Sequence, residues 1–259
     1  MNKKRTLLTV LAMVLVCAMS IMGTLAYLEA QTTTVTNTFV AAGGTGPFID
    51  EITDPTTGEV TGLKFAIKEY NVDVAASGKY TLMPAKLENE VDGYNYDKVM
   101  PGTTLPKQAF VKLSRTATQI TVDGESTTTK EIDPAPAYLY LEVCGTSPVV
   151  KVEENDVPVY TWVIDDTNWV ELKNAEGNAV VGPNGGKVYL YKDSTGASVV
   201  TTIAAYDGNH INIIKENKVN VADVTLPAGE FELKFNAFLS QASTGETDDP
   251  AAVFTACFG

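Results

Sequence analysis

Along much of the chain, side chains alternate between apolar and polar with a period of two, a pattern that strands satisfy and long helices do not. Leu63, Phe65 and Ile67 alternate with Lys64, Ala66 and Lys68, and Tyr138, Tyr140 and Glu142 with Leu139, Leu141 and Val143. Val188 and Leu190 alternate with Lys187, Tyr189 and Tyr191; Phe231, Leu233, Phe235 and Ala237 alternate with Glu230, Glu232, Lys234 and Asn236. Successive strand residues point to opposite faces, so each such run is expected to put one face on a core and the other in water. Phe110, Val111 and Leu113, the pair Ile120 and Val122, and segments 160–164 and 219–226 predict further strands. Turn signals separate them: Asp123-Gly124 reads as a tight hairpin, and Pro101-Gly102, Pro183-Asn184-Gly185-Gly186 and Pro227-Ala228-Gly229 as further breaks. Segment 125–136, polar and then proline-rich, predicts a long hairpin or a loop insertion. A short helix is expected over 248–254, where acidic residues precede Pro250, and another helical turn near 210–216. The expected fold is all-β, a jelly-roll-like antiparallel β-sandwich with one or two short helices, preceded by an N-terminal signal helix.

That leader is read from its order of residues. Lys3, Lys4 and Arg5 precede an apolar run from Leu7 to Met22, small residues follow, and the first acid is Glu29. A basic start, an apolar middle and a small-residue end make an export signal, with the cut expected between Ala26 and Tyr27. The expected organisation is 1–26 signal peptide, 27–46 N-terminal strand and linker, and 47–259 β-sandwich domain. Loss of Lys3, Lys4 and Arg5 takes the formal net charge from −13 to −16. Such a balance argues against nucleic acid or an anionic membrane surface as partner, so contact with a membrane is expected only through the uncleaved signal. Cys17 leaves with the leader. Cys144 and Cys257 would enter an oxidising compartment, where they either pair or stay as separate thiols.

Two regions carry a family resemblance. Gly23-Thr24-Leu25-Ala26-Tyr27-Leu28, followed by Val35-Thr36-Asn37-Thr38-Phe39, resembles the SipW-dependent type of signal peptide, released by a dedicated signal peptidase from subunits of the TasA/camelysin family in Gram-positive bacteria. Lys98-Val99-Met100-Pro101-Gly102-Thr103-Thr104-Leu105-Pro106-Lys107, then Phe110-Val111-Lys112, is similar to that family's proline-glycine turn leading into a core strand. Ala137–Val143 and Phe235–Ala242 resemble later strands of the family. The resemblance implies a secreted jelly roll, found extracellularly or at the cell surface, that assembles with itself or with related matrix subunits into biofilm fibres. It also implies that the mature N-terminal strand, with Thr33, Val35, Asn37 and Phe39, completes the sheet of the next subunit. The residues agree with that mode: 32–40 is strand-prone and nearly uncharged, and Gly43, Gly44 and Gly46 follow. The plainer alternative is that this segment forms the first strand of its own domain.

Catalytic chemistry finds few residues to use. Some members of that family are labelled metallopeptidases, but the zinc pattern needs two histidines one helical turn apart, and His210 is the sole histidine. A serine triad would need His210 as its base; Ser198 lies in no nucleophile motif, and Cys144 sits in an apolar run. His210 is expected in an exposed loop. Asp165-Asp166 and Asp248-Asp249 read as solvated turns or helix caps, and the acidic run 153–156 lacks a calcium-loop pattern. The chain is therefore expected to be a non-enzyme without cofactor or metal. The alternative function is a monomeric surface adhesin or carbohydrate-binding module, with Trp162 expected in the core and Trp169 partly exposed as a stacking platform.

Overall fold

The computed structural model describes residues 30–31, 35–38, 49–53, 60–115, 117–123, 126–132, 136–200, 210–242 and 247–259. The expected leader, its cut between Ala26 and Tyr27, and positions Thr33 and Phe39 lie outside the described residues. In chain order the strands are β1 (Ala30–Gln31), β2 (Val35–Thr38), β3 (Ile49–Thr53), β4 (Val60–Tyr70), β5 (Val72–Val74), β6 (Tyr80–Leu82) and β7 (Glu90–Val91). There follow β8 (Thr104–Pro106), β9 (Ala109–Arg115), β10 (Ala117–Asp123), β11 (Ser126–Ile132), β12 (Ala137–Cys144), β13 (Val149–Val152) and β14 (Asn155–Pro158). The last are β15 (Tyr160–Thr161), β16 (Trp169–Glu171), β17 (Lys187–Tyr191), β18 (Val199–Val200), β19 (His210–Asn212), β20 (Lys218–Val221) and β21 (Glu232–Gln241), before helix α1 (Pro250–Phe258). The chain is all-β, with one α-helix among the described residues.

Every strand pairing among the described residues is antiparallel. One sheet has the order β1–β21–β12–β17–β16, with β2 also on β21 and β18 on β12. A second has the order β19–β9–β4–β3, with β7 on β4. A third, smaller sheet is β15–β20–β8, and β5–β6, β10–β11 and β13–β14 are two-stranded. The expected hairpin at Asp123-Gly124 is β10–β11, in which Asp123 pairs with Ser126, so most of 125–136 is its returning strand.

The two large sheets share one core. Phe65 and Ile67 of β4, with Val111 and Leu113 of β9, belong to the same apolar cluster as Leu139 and Leu141 of β12 and Leu233, Phe235 and Leu239 of β21. The other face of β12 is covered too. Tyr138 and Tyr140 join Val188, Leu190, Phe238 and the helix residues Val253, Phe254 and Phe258 in a second cluster. Thus β12 is buried on both faces along seven of its eight residues, where alternation alone had predicted one face in water. α1 is the cause. Its start follows the expected chemistry, since Asp249 Oδ1 accepts the Ala252 N–H at 2.9 Å and Pro250 occupies the first turn. The helix then continues past the predicted 254 because Phe254 and Phe258 both reach the sheet. The tyrosine hydroxyls beneath it stay satisfied: Tyr138 donates to the Asp248 carbonyl at 2.8 Å and Tyr140 to the Pro250 carbonyl at 3.0 Å.

Three expectations are corrected. Only Tyr160–Thr161 of 160–164 is strand, and the strand in 219–226 ends at Val221. The helical turn expected over 210–216 is instead strand at His210–Asn212 followed by a 3₁₀ turn at Lys215–Asn217. Phe254→Ala empties a fully buried ring site and is expected to cost about 3–5 kcal/mol, whereas Asp249→Ala, which loses only the cap, should cost about 1 kcal/mol. Urea unfolding of both variants checks the ratio; equal losses would mean that α1 does not hold the second cluster together.

Candidate functional site

Two of the four positions expected to join subunits fall on a sheet edge. Of the four, Val35 and Asn37 lie in described β2, which runs antiparallel along β21 with Val35 opposite Phe235 and Asn37 opposite Leu233. Farther along β21, Ala30 and Gln31 pair with Leu239 and Phe238. β21 is thus held on one side by β12 over the whole length of that strand, from Ala137↔Gln241 to Cys144↔Lys234. On its other side it carries two short N-terminal segments of two and four residues. Within a single chain, then, β1 and β2 occupy an edge of their own sheet.

No protein-family model, curated protein or solved structure matches the chain.

Next to that edge lies a polar clamp that sequence reading did not single out. Glu142 is fully buried in β12. Its Oε1 accepts the backbone N–H of Asn184 at 2.9 Å and of Gly186 at 3.0 Å; its Oε2 accepts the side-chain amides of Asn184 at 2.8 Å and Asn236 at 3.0 Å. Four donors meet one carboxylate, which is how a buried charge is made tolerable. The turn at 182–186 must press close to do this. A Cβ on Gly186 would stand 2.5 Å from Cys144 Sγ and 2.6 Å from the Val143 carbonyl oxygen, so only glycine fits. The Pro-Asn-Gly-Gly signal foretold this turn; that it reaches across to Glu142 required the register of β12.

Cys144 and Cys257 are not bonded to each other. They belong to different surroundings. Cys144 lies at the end of β12 against the Asn184 carbonyl and the Asn236 amide, in an open groove with Gly145, Glu232 and Lys234. Cys257 sits in α1 against the second cluster. Burial, followed by the charge of Glu142, pushes the Cys144 thiol up to about 11. A thiol so raised is a poor nucleophile at neutral pH.

His210 is not an exposed loop residue. It lies in β19 opposite Lys112, half-buried, with its ring 4.4 Å from that of Phe110. Its Nδ1 is 3.1 Å from the Tyr70 hydroxyl, and its Nε2 is 3.4 Å from Glu90 Oε1. Glu90 Oε2 in turn accepts from Lys112 Nζ at 2.7 Å. The four side chains tie β4, β7, β9 and β19 together on the second sheet. The single histidine could be read in the sequence, but its partners come from three other strands.

Trp169 is also corrected. It is 2% exposed, and its Nε1 donates to the Asn212 carbonyl at 2.7 Å. That ring is unavailable for stacking on a sugar. Trp162, expected in the core, is partly buried against it, 5.7 Å from Phe231. The acidic pairs serve as turns and caps as expected: Asp165 accepts from Thr167 and Asn168, and Asp249 caps α1. Among the described residues no group of three or more His, Cys, Asp or Glu is placed to hold a metal ion.

Two measurements probe this region. Iodoacetamide alkylation of Cys144 in a Cys257→Ala protein should be about a hundredfold slower at neutral pH than that of a thiol at its ordinary value. Its rate should climb with pH until about 11; a plateau near pH 9 would contradict the burial argument. Glu142→Ala leaves the donors of Asn184, Gly186 and Asn236 without their acceptor and should cost more than about 3 kcal/mol in urea unfolding.

Proposed function

We propose that the chain is a secreted structural protein, a subunit of a biofilm matrix fibre or surface filament of the TasA/camelysin type, and that it acts without catalysis. On this reading the all-β body is a jelly-roll-like sandwich, a dedicated signal peptidase cuts at Ala26-Tyr27, and the freed N-terminal strand joins one subunit to the next or to a related matrix subunit. The observation that carries the reading is the pairing of β1 and β2 with the outer edge of β21. Without a neighbour there, the outward N–H and C=O groups of β21 would form an open edge, a template for another chain. The same ladder can be made within one chain or between two copies, because an exchanged strand repeats the bonds it replaces. Segment 39–48, which joins β2 to β3, carries Gly43, Gly44 and Gly46 and suits such a change of direction.

Support also comes from charge and from what the side chains are doing. The acidic mature chain suits an extracellular, solvated protein. His210, Cys144 and the acidic pairs are engaged in packing, turns and caps. The adhesin or sugar-binding alternative loses its principal residue with the burial of Trp169.

Electron microscopy over time decides the matter. Protein beginning at Tyr27 should form fibres, and protein lacking 27–40 should not. Fibres of equal number and length from both would refute strand exchange. N-terminal sequencing of the secreted form should begin at Tyr27, and an uncut leader would refute the release step.

A further inference from the structure

One ion pair in the fold is isolated from water altogether. Glu69 lies near the end of β4 and Lys107 immediately after β8, with side chains 2% and 0% exposed. Lys107 Nζ donates to Glu69 Oε2 and the Tyr94 backbone N–H also faces this carboxylate, while Glu69 Oε1 is buried outside hydrogen-bond geometry among the described residues. The backbone fixes both ends of this contact. Glu69 pairs with Ala109, two residues beyond Lys107, and the Lys107 N–H donates to the Asn217 carbonyl at 2.7 Å. The hydroxyl of buried Tyr96 donates to the carbonyl of Pro106, the residue before Lys107.

A lone ammonium–carboxylate pair in such a place is costly, because desolvation of two ions is repaid only if further hydrogen bonds satisfy them. Here one carboxylate oxygen has none. Burial raises the Glu69 carboxyl and lowers the Lys107 amine, so each is driven towards its uncharged form. An uncharged amine is a nucleophile, and an uncharged carboxyl carries a hydroxyl that can leave as water. Strand register holds the two in contact, which replaces the entropy cost of a bimolecular encounter.

We propose that Glu69 and Lys107 form an intramolecular cross-linking site, at which Lys107 Nζ condenses with the Glu69 carboxyl to give a buried isopeptide bond. The ammonium first passes one proton to the carboxylate. Nζ then bonds to Cδ, one carboxyl C–O bond breaks, and the departing oxygen leaves as water with the hydroxyl proton and one amine proton. No oxidant, reductant or co-reactant is needed. The product replaces two buried charges with one neutral amide. It also ties together residues 38 positions apart, closing the segment that carries β5 to β8 into a covalent loop. The cross-link needs only the folded domain, so it stands or falls separately from fibre assembly.

Intact-mass measurement of the full folded chain, denatured in urea after prolonged incubation, tests it, followed by tryptic mapping. The expected result is a mass lower by one water, loss of cleavage after Lys107, and a branched peptide joining the Glu69 and Lys107 segments. Lys107→Met and Glu69→Leu should each restore the sequence mass. A wild-type chain at its full sequence mass, with normal cleavage after Lys107, overturns the proposal without recourse to any variant. A one-water deficit that maps instead to Asp123-Gly124, where an aspartyl succinimide can form, overturns it as well.

Discussion

Strand β12 is the constraint on which the rest of the structure depends. Its odd-numbered residues Leu139 and Leu141 enter the core shared with the second large sheet, and its even-numbered Tyr138 and Tyr140 enter the cluster beneath α1. A slip of one residue would exchange the two sets, placing tyrosine hydroxyls in the shared core and leucines under the helix. It would also remove Glu142 from the four donors that neutralise it. Register is thus fixed three times over, by two apolar faces and one carboxylate. β21, β17 and β18 take their positions directly from β12, and the N-terminal segments take theirs from β21.

This accounts for which parts of the fold were legible in the sequence. Alternation and turn residues depend on neighbours along the chain, so β4, β9, β12, β17 and β21, the Asp123-Gly124 hairpin and the cap of α1 could be read directly. Burial on the second face of β12 could not, because Tyr-Leu-Tyr-Leu has the same pattern whether the tyrosines meet water or a helix. The difference is made by Phe254 and Phe258, more than a hundred positions away. Trp169 followed the same logic: its polar neighbours implied exposure, while the acceptor for its ring N–H is the carbonyl of Asn212.

The polar groups were the least legible part, for a related reason. Lys68, Lys112 and Lys234 look alike as the polar members of alternating strands. In the fold Lys112 is buried against Glu90, whereas Lys68 pairs with the more exposed Asp92. A buried lysine demands a partner that its own strand does not supply. Lys107 and His210 are further cases, and each joins strands of the second large sheet to residues outside their own strands. Such contacts define the relative placement of strands more sharply than apolar packing does, since a displaced charge is penalised more heavily than a displaced methyl group.

The two sides of β21 differ in a way that bears on assembly. Towards β12 the ladder is continuous and both partners are part of the shared core. Towards β1 and β2 the described pairs run from Ala30↔Leu239 to Gln31↔Phe238 and from Val35↔Phe235 to Thr38↔Glu232. β12 is itself paired with β17 and β18, whereas β1 stands at the end of the strand order, so the inner side is the better supported whichever chain supplies the outer strand. On the proposed reading that inequality has a purpose. The inner ladder preserves the subunit while the outer one is broken and remade, and the cost of release is limited to a few backbone hydrogen bonds, each worth about 1 kcal/mol net.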